Sequence, residues 1–107
     1  MIVRQALFEG GIRAGMEGEF RRYVEERLLP MWHAFPGVKE VRVLHALERD
    51  EGAPVYAMVL SMMFEDTGAL AAALDSAVRY ESREVTRGLL EMFEGRIHHH
   101  VFDLAHG

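Results

Sequence analysis

Residues 55–64 read Val55-Tyr56-Ala57-Met58-Val59-Leu60-Ser61-Met62-Met63-Phe64 and carry no charge. A strand with one wet face alternates apolar and polar side chains. Here apolar residues fill both alternation classes, so the pattern predicts a strand whose two faces are both covered. One helical layer covers one face of a sheet, and something else must cover the other.

Working outward, Val38 to Leu47 alternates, with Val41, Val43, His45 and Leu47 on one face and Glu40, Arg42, Leu44 and Ala46 on the other. Period two predicts a strand. The polar segment Glu48 to Pro54 then predicts a hairpin with an extended loop. Further upstream, Met16, Phe20, Tyr23, Val24, Leu28, Met31, Trp32 and Phe35 recur at intervals of three and four, which predicts an amphipathic helix over 16–35. Pro30 predicts a kink or restart at Leu29, and Pro36-Gly37 a stop. Ile2 to Phe8 reads as a first strand, ended by a turn at Gly10 and Gly11.

Downstream, Asp66 or Thr67 serves as an N-cap for a helix over Ala69–Leu74. A second helical piece is predicted around Ser82–Phe93, with Gly95 just past its end and Asp75–Glu81 either continuing or breaking the helix. Arg96 to Leu104 reads as the last strand, with His99 pointing away from His98 and His100.

Strand, helix, strand, strand, helix, strand predicts an α+β chain with the ferredoxin-like βαββαβ sandwich. That is a four-stranded antiparallel sheet with helices on one face, as one domain over 1–107. The other face, apolar along its third strand, would be an exposed patch in a monomer. Two-fold pairing of two sheets buries it, so a homodimer is expected.

Composition excludes several classes. Half of the residues are hydrophobic and 27% are charged, the balance of a globular domain. No cysteine is present, which removes disulfides, thiolate metal sites and cysteine nucleophiles. No apolar run is long enough to cross a bilayer and no signal peptide is visible, so a soluble cytoplasmic protein is expected. A net charge of −5 argues against nucleic acid. No phosphate loop, nucleophile elbow or dinucleotide fingerprint occurs, and no cofactor is expected.

Phe20-Arg21-Arg22-Tyr23 with Pro30 near the end of the first helix, Pro36-Gly37-Val38, Tyr56–Phe64 and Phe64-Glu65-Asp66 leading into Ala69–Ser76 resemble the dimeric α+β barrel superfamily. Within it the chain is most similar to EthD-like proteins, from Ile2 to Leu104. The resemblance implies pairing into a dimeric α+β barrel, with a ligand pocket between sheet and helices in each subunit. Cofactor-independent monooxygenases, lactone isomerases, polyketide cyclases and haem-degrading enzymes share that fold. EthD-like members often carry a histidine two residues before the helix-one proline; Leu28 stands there, so no acid/base role is carried over to it. The asparagine–tryptophan–histidine set of the haem-degrading branch is missing, because the chain has no asparagine.

Histidine is the main chemical resource, titrating near neutrality. His33, His98 and His100 are the catalytic candidates. His33 sits where a cation also suits the negative end of the first helix, and the strand histidines also fit partly solvated edge positions. No metal site is expected. The candidate ligands are His98 and His100, with His45 approaching across the seam of a two-subunit barrel. Arg4, Tyr23, Trp32, Phe35 and Tyr80 are candidates to line a ligand pocket, although aromatics at helical spacing also serve as plain core. A charge inside the first strand needs a partner, and Arg4 has two: an acidic ligand group, or Asp103 on the last strand. Met58, Met62 and Met63 suit an adaptable cavity, an interface or core filling.

Together with these residues, the resemblance implies a homodimeric binder of a small apolar or aromatic metabolite, acting as a cofactor-free monooxygenase, isomerase or cyclase on an aromatic or polyketide-like compound. The alternative is a dimeric ligand-sensing or interaction module without catalysis. A histidine metal site at the dimer seam stands third.

Overall fold

The ten-residue apolar stretch forms the penultimate strand of a four-stranded antiparallel sheet. The computed structural model describes residues 1–107. The strands are β1 (Ile2–Ile12), β2 (Glu40–His45), β3 (Tyr56–Phe64) and β4 (Phe93–Asp103), ordered β2-β3-β1-β4. The helices are α1 (Glu17–Tyr23), α2 (Leu29–His33), α3 (Thr67–Leu74) and α4 (Ala77–Leu90). They pack on one face only, which is the ferredoxin-like arrangement.

Strand parity assigns the two faces. On β1, Ile2, Arg4, Ala6 and Phe8 point toward the helices, and on β3 so do Met58, Leu60, Met62 and Phe64. The register carries this to the edges: Val41, Val43 and His45 of β2 lie opposite Met62, Leu60 and Met58, and Ile97, His99 and Val101 of β4 lie opposite Phe8, Ala6 and Arg4. A one-residue irregularity after Phe8 puts Tyr56, opposite Glu9, on the far face.

The first helix bears out the restart at Leu29. Between α1 and α2 the backbone widens into a π-helical turn over Val24–Leu28, and Pro30 sits in the first turn of α2. Phe20, Val24, Leu28 and Trp32, all buried, follow one another at intervals of four. Each such step overshoots a 3.6-residue turn by about 40°. A wider turn absorbs the drift and frees the carbonyl that a proline ring would meet.

Two boundaries differ from the sequence-based expectation. Gly10, Gly11 and Gly95 lie inside strands rather than in turns: the β1–β4 ladder runs through Gly10↔Gly95 to Ile12↔Phe93. Both members of that pair have positive φ, 135° and 150°, and a Cβ on either would strike the opposite backbone. Glycine facing glycine lets the two strands pass closely there. The second boundary is α4, which starts at Ala77 and not near Ser82. Ser76, in extended backbone, caps it by accepting a hydrogen bond from the Arg79 amide at 3.4 Å. Asp66, not Thr67, caps α3, its Oδ1 accepting from the Ala69 amide at 2.8 Å.

Seventeen hydrophobic side chains form one buried cluster between sheet and helices. Phe8, Phe20 and Phe93 meet there with ring centroids 5.8–6.4 Å apart, two of the three contacts edge-to-face. Tyr23 ties the first helix to α4, its hydroxyl donating to the Val85 carbonyl at 2.7 Å. No helix is long and apolar enough to cross a membrane.

Candidate functional site

A cavity of about 790 Å³ opens between the helix-facing side of the sheet and α4. Its size lies in the usual range for small-molecule sites. The floor comes from β1, β3 and β4 through Arg4, Ala6, Leu60, Met62, Ile97 and His99; Trp32 and Phe35 supply an aromatic side wall. α4 forms the other wall along most of its length, with Arg79, Tyr80 and the buried Ser82 in its first two turns. Ser82 Oγ is spent on the Arg79 carbonyl at 2.7 Å, and the Tyr80 hydroxyl is turned to Asp75 at 3.1 Å, so Tyr80 offers the cavity a ring rather than a proton. The Arg79 guanidinium lies over that ring, 5.6 Å from its centre.

Arg4 and His99 are diagonal neighbours across the β1–β4 ladder, on the same face. Arg4 forms none of the chain's ion pairs. The contact with Asp103 does not form: Asp103 lies opposite Ile2 and is exposed. Partial burial, then the neighbouring Arg79 charge, lowers the Arg4 pKa from its ordinary value. His99 is exposed as a residue at the open side of the cavity, yet desolvation, followed by the positive charges of Arg4, Arg79 and His98, lowers its pKa to about 4. The imidazole is therefore neutral at physiological pH, with a free lone pair beside two guanidiniums. Such a group can take a proton from an acidic C–H or O–H, while the guanidiniums stabilise the oxyanion left behind.

Of the residues expected to line a pocket, Arg4, Trp32, Phe35 and Tyr80 meet around this cavity, whereas Tyr23 faces α4 at Val85. The catalytic candidates lie elsewhere: His33 is exposed at the end of α2, and His98 and His100 are on the far side of the sheet. The middle member of the three consecutive histidines is the one that faces the cavity. Its signal was the parity it shares with Phe93 and Ile97, the apolar positions of its strand.

The far face carries a row of rings, Tyr56, His98, His100 and Phe102, with successive centroids 6.0, 5.5 and 5.9 Å apart. Glu9 accepts a hydrogen bond from Arg96 at 3.2 Å and lies equally close to His98 Nε2, though without hydrogen-bond alignment. His45 sits on the helix-facing side of β2, at the opposite edge from β4, its pKa lowered by desolvation and by Arg21. Within one chain it cannot share a metal with His98 or His100, and no three metal-ligating side chains converge.

No protein-family model matches the chain, and no curated protein sequence matches it. Solved structures do. An EthD (ethyl tert-butyl ether degradation) family protein from Bacillus halodurans superposes with a TM-score of 0.77 at 14% identity, covering 96% of this chain and 97% of that one. A protein from Arabidopsis thaliana gives 0.72 at 10% identity over 96% and 94%. A candidate antibiotic biosynthesis monooxygenase from Nitrosomonas europaea gives 0.66 at 12% identity over 99% and 100%. At these identities the likeness concerns architecture: the chain has the ferredoxin-like α+β fold of EthD-family and monooxygenase-like structures, along its whole length.

Proposed function

We propose that the chain is a homodimeric, cytoplasmic, one-domain small-molecule enzyme that works without a cofactor on an aromatic or polyketide-like metabolite, as an isomerase, cyclase or monooxygenase. The observation that carries the reading is the neutral His99 imidazole set among Arg4, Arg79 and the aromatic wall of a cavity large enough for such a compound. Those three activities share one elementary step. His99 takes a proton from a carbon or hydroxyl activated by a carbonyl; the electron pair moves onto the carbonyl oxygen, and the enolate or phenolate is held by the guanidiniums. Dimerisation is supported by the far face of the sheet, where Val3, Leu7, Val59 and Met63 lie uncovered in the single chain beside the exposed Leu44 and Phe102.

Hydrogen–deuterium exchange at the acidic carbon of cyclic 1,3-diketones in D₂O, followed by NMR, tests the step. The native protein is expected to accelerate exchange and His99→Gln to lose that acceleration; equal exchange by both would refute it. One observation favours a second reading, a binding module without turnover: none of the side-chain hydrogen bonds holds or orients His99, as a general base usually requires. Binding without accelerated exchange would establish that reading.

A further inference from the structure

The chain as a whole is acidic, yet its cavity is not. Four arginines (Arg4, Arg79, Arg83 and Arg87) and two glutamates (Glu81 and Glu84) lie around the cavity together with His99, while the net charge of the chain is −5. Glu84 is engaged by Arg87 at 3.5 Å, and both are exposed, as are Glu81 and Arg83. The two inner arginines, Arg4 on the floor and Arg79 on the wall, belong to no ion pair. The Arg79 charge is close enough to add to the cost of the Arg4 charge, after that of burial.

A guanidinium in the central strand of a sheet, flanked by a second one and left without a carboxylate, lowers stability rather than raising it. A planar fork of donors is also the geometry that grips a carboxylate with two parallel hydrogen bonds. The remaining walls, Trp32, Phe35, Leu60 and Met62, offer nothing charged and suit a flat apolar body.

We propose that the ligand of this cavity is an aromatic carboxylate, its ring against Trp32 and Phe35 and its carboxylate bridging Arg4 and Arg79 beside His99. This specifies the ligand class of the site described above and rests on that cavity being a ligand site. The assignment also bears on the chemistry. Beside the two guanidiniums alone His99 is a weak base, at about 4. Desolvation is the larger cause of that depression; a bound anion offsets the guanidinium charges that add to it and moves the imidazole pKa upward, toward neutral pH, where a general base is most effective. The groups that set this balance are Arg4 from β1, Arg79, Glu81, Arg83, Glu84 and Arg87 from α4, and His98 from His99's own strand.

The test is a matched pair, 2-naphthoate and 2-naphthamide, titrated calorimetrically into the native protein and into Arg4→Met and Arg79→Met, with fold checked by circular dichroism. Naphthoate is expected to bind about 10–100-fold more tightly than the amide, the discrimination of a charge-assisted hydrogen-bond pair. Each substitution should remove most of that preference, weakening naphthoate far more than the amide. Binding of naphthoate should also move the His99 imidazole titration upward by NMR. Arg79→Met, on a solvent-accessible helix, keeps the test available if Arg4→Met fails to fold. Equal affinity for acid and amide, or a preference that survives Arg79→Met, overturns the anion assignment and leaves the cavity as an apolar ligand site. Failure of both compounds to bind overturns the assignment and counts against the cavity reading itself.

Discussion

Gly88 faces the ring of Tyr23, and that contact makes a sign-changing prediction. Gly88 lies in the last turn of α4 with ordinary helical backbone, so alanine there should stabilise the helix by about 1 kcal/mol. A Cβ at that position, however, would overlap the Tyr23 hydroxyl and sit 2.9 Å from Cζ. A phenol ring cannot flex away at its tip, so the whole side chain must rotate, and its 2.7 Å hydrogen bond to the Val85 carbonyl is lost. Losing that bond costs about 1 kcal/mol and the overpacking a further 1–3 kcal/mol. Gly88→Ala is therefore expected to destabilise the native protein by about 1–3 kcal/mol. In a Tyr23→Ala background nothing remains to clash, and the same substitution should instead stabilise by about 0.5–1 kcal/mol. Urea unfolding of the four proteins at one fixed concentration reads the coupling directly. If Gly88→Ala changes stability by the same amount in both backgrounds, Tyr23 is not the tie between the first helix and α4 described above.

Three further outcomes follow from the geometry. His99 stays neutral in the folded chain down to about 4, whereas an unfolded histidine takes up its proton near 6.5. Stability should thus be complete above pH 6.5 and fall as pH drops toward 4, and His45, depressed for the same reason, adds in the same direction. Thermal melts of His99→Gln should show a shallower acid slope, and an unchanged slope would contradict the placement of that ring. Gly95→Ala brings a Cβ within 2.9 Å of the Glu9 carbonyl carbon at φ 150°, so a loss of about 2–4 kcal/mol is expected on denaturation. Val59→Glu, on the far face of β3, should convert a dimer into a monomer in sedimentation velocity without loss of helical ellipticity. A dimer that persists would place the subunit contact elsewhere.

Much of the architecture was readable because its signals are local. The absence of alternation over Val55–Phe64 marked a strand with two faces to cover, and steps of four from Phe20 to Trp32 marked the helix and, with Pro30, its restart. What stayed hidden depended on pairing. Gly10 and Gly95 each look like a turn residue alone; only when the register sets them opposite one another does their shared role inside a ladder appear. Ser76 has a single weak cap bond to announce α4, and its neighbours Asp75 and Ala77 carry no further start signal. For the cavity, Arg4 stood out because a charge in an inner strand is out of place. His99 did not, since three histidines in a row hide which one faces inward.

That histidine triplet gives the molecule an unusual vulnerability. Adding or deleting one residue in β4 before His98 would flip the strand's alternation, turning His99 out to the far face and bringing His98 or His100 to the cavity side. Point substitutions can thus adjust either side of the sheet alone, but a change of length alters both together. Any relative built on this frame should tolerate insertions after Asp103 and resist them upstream.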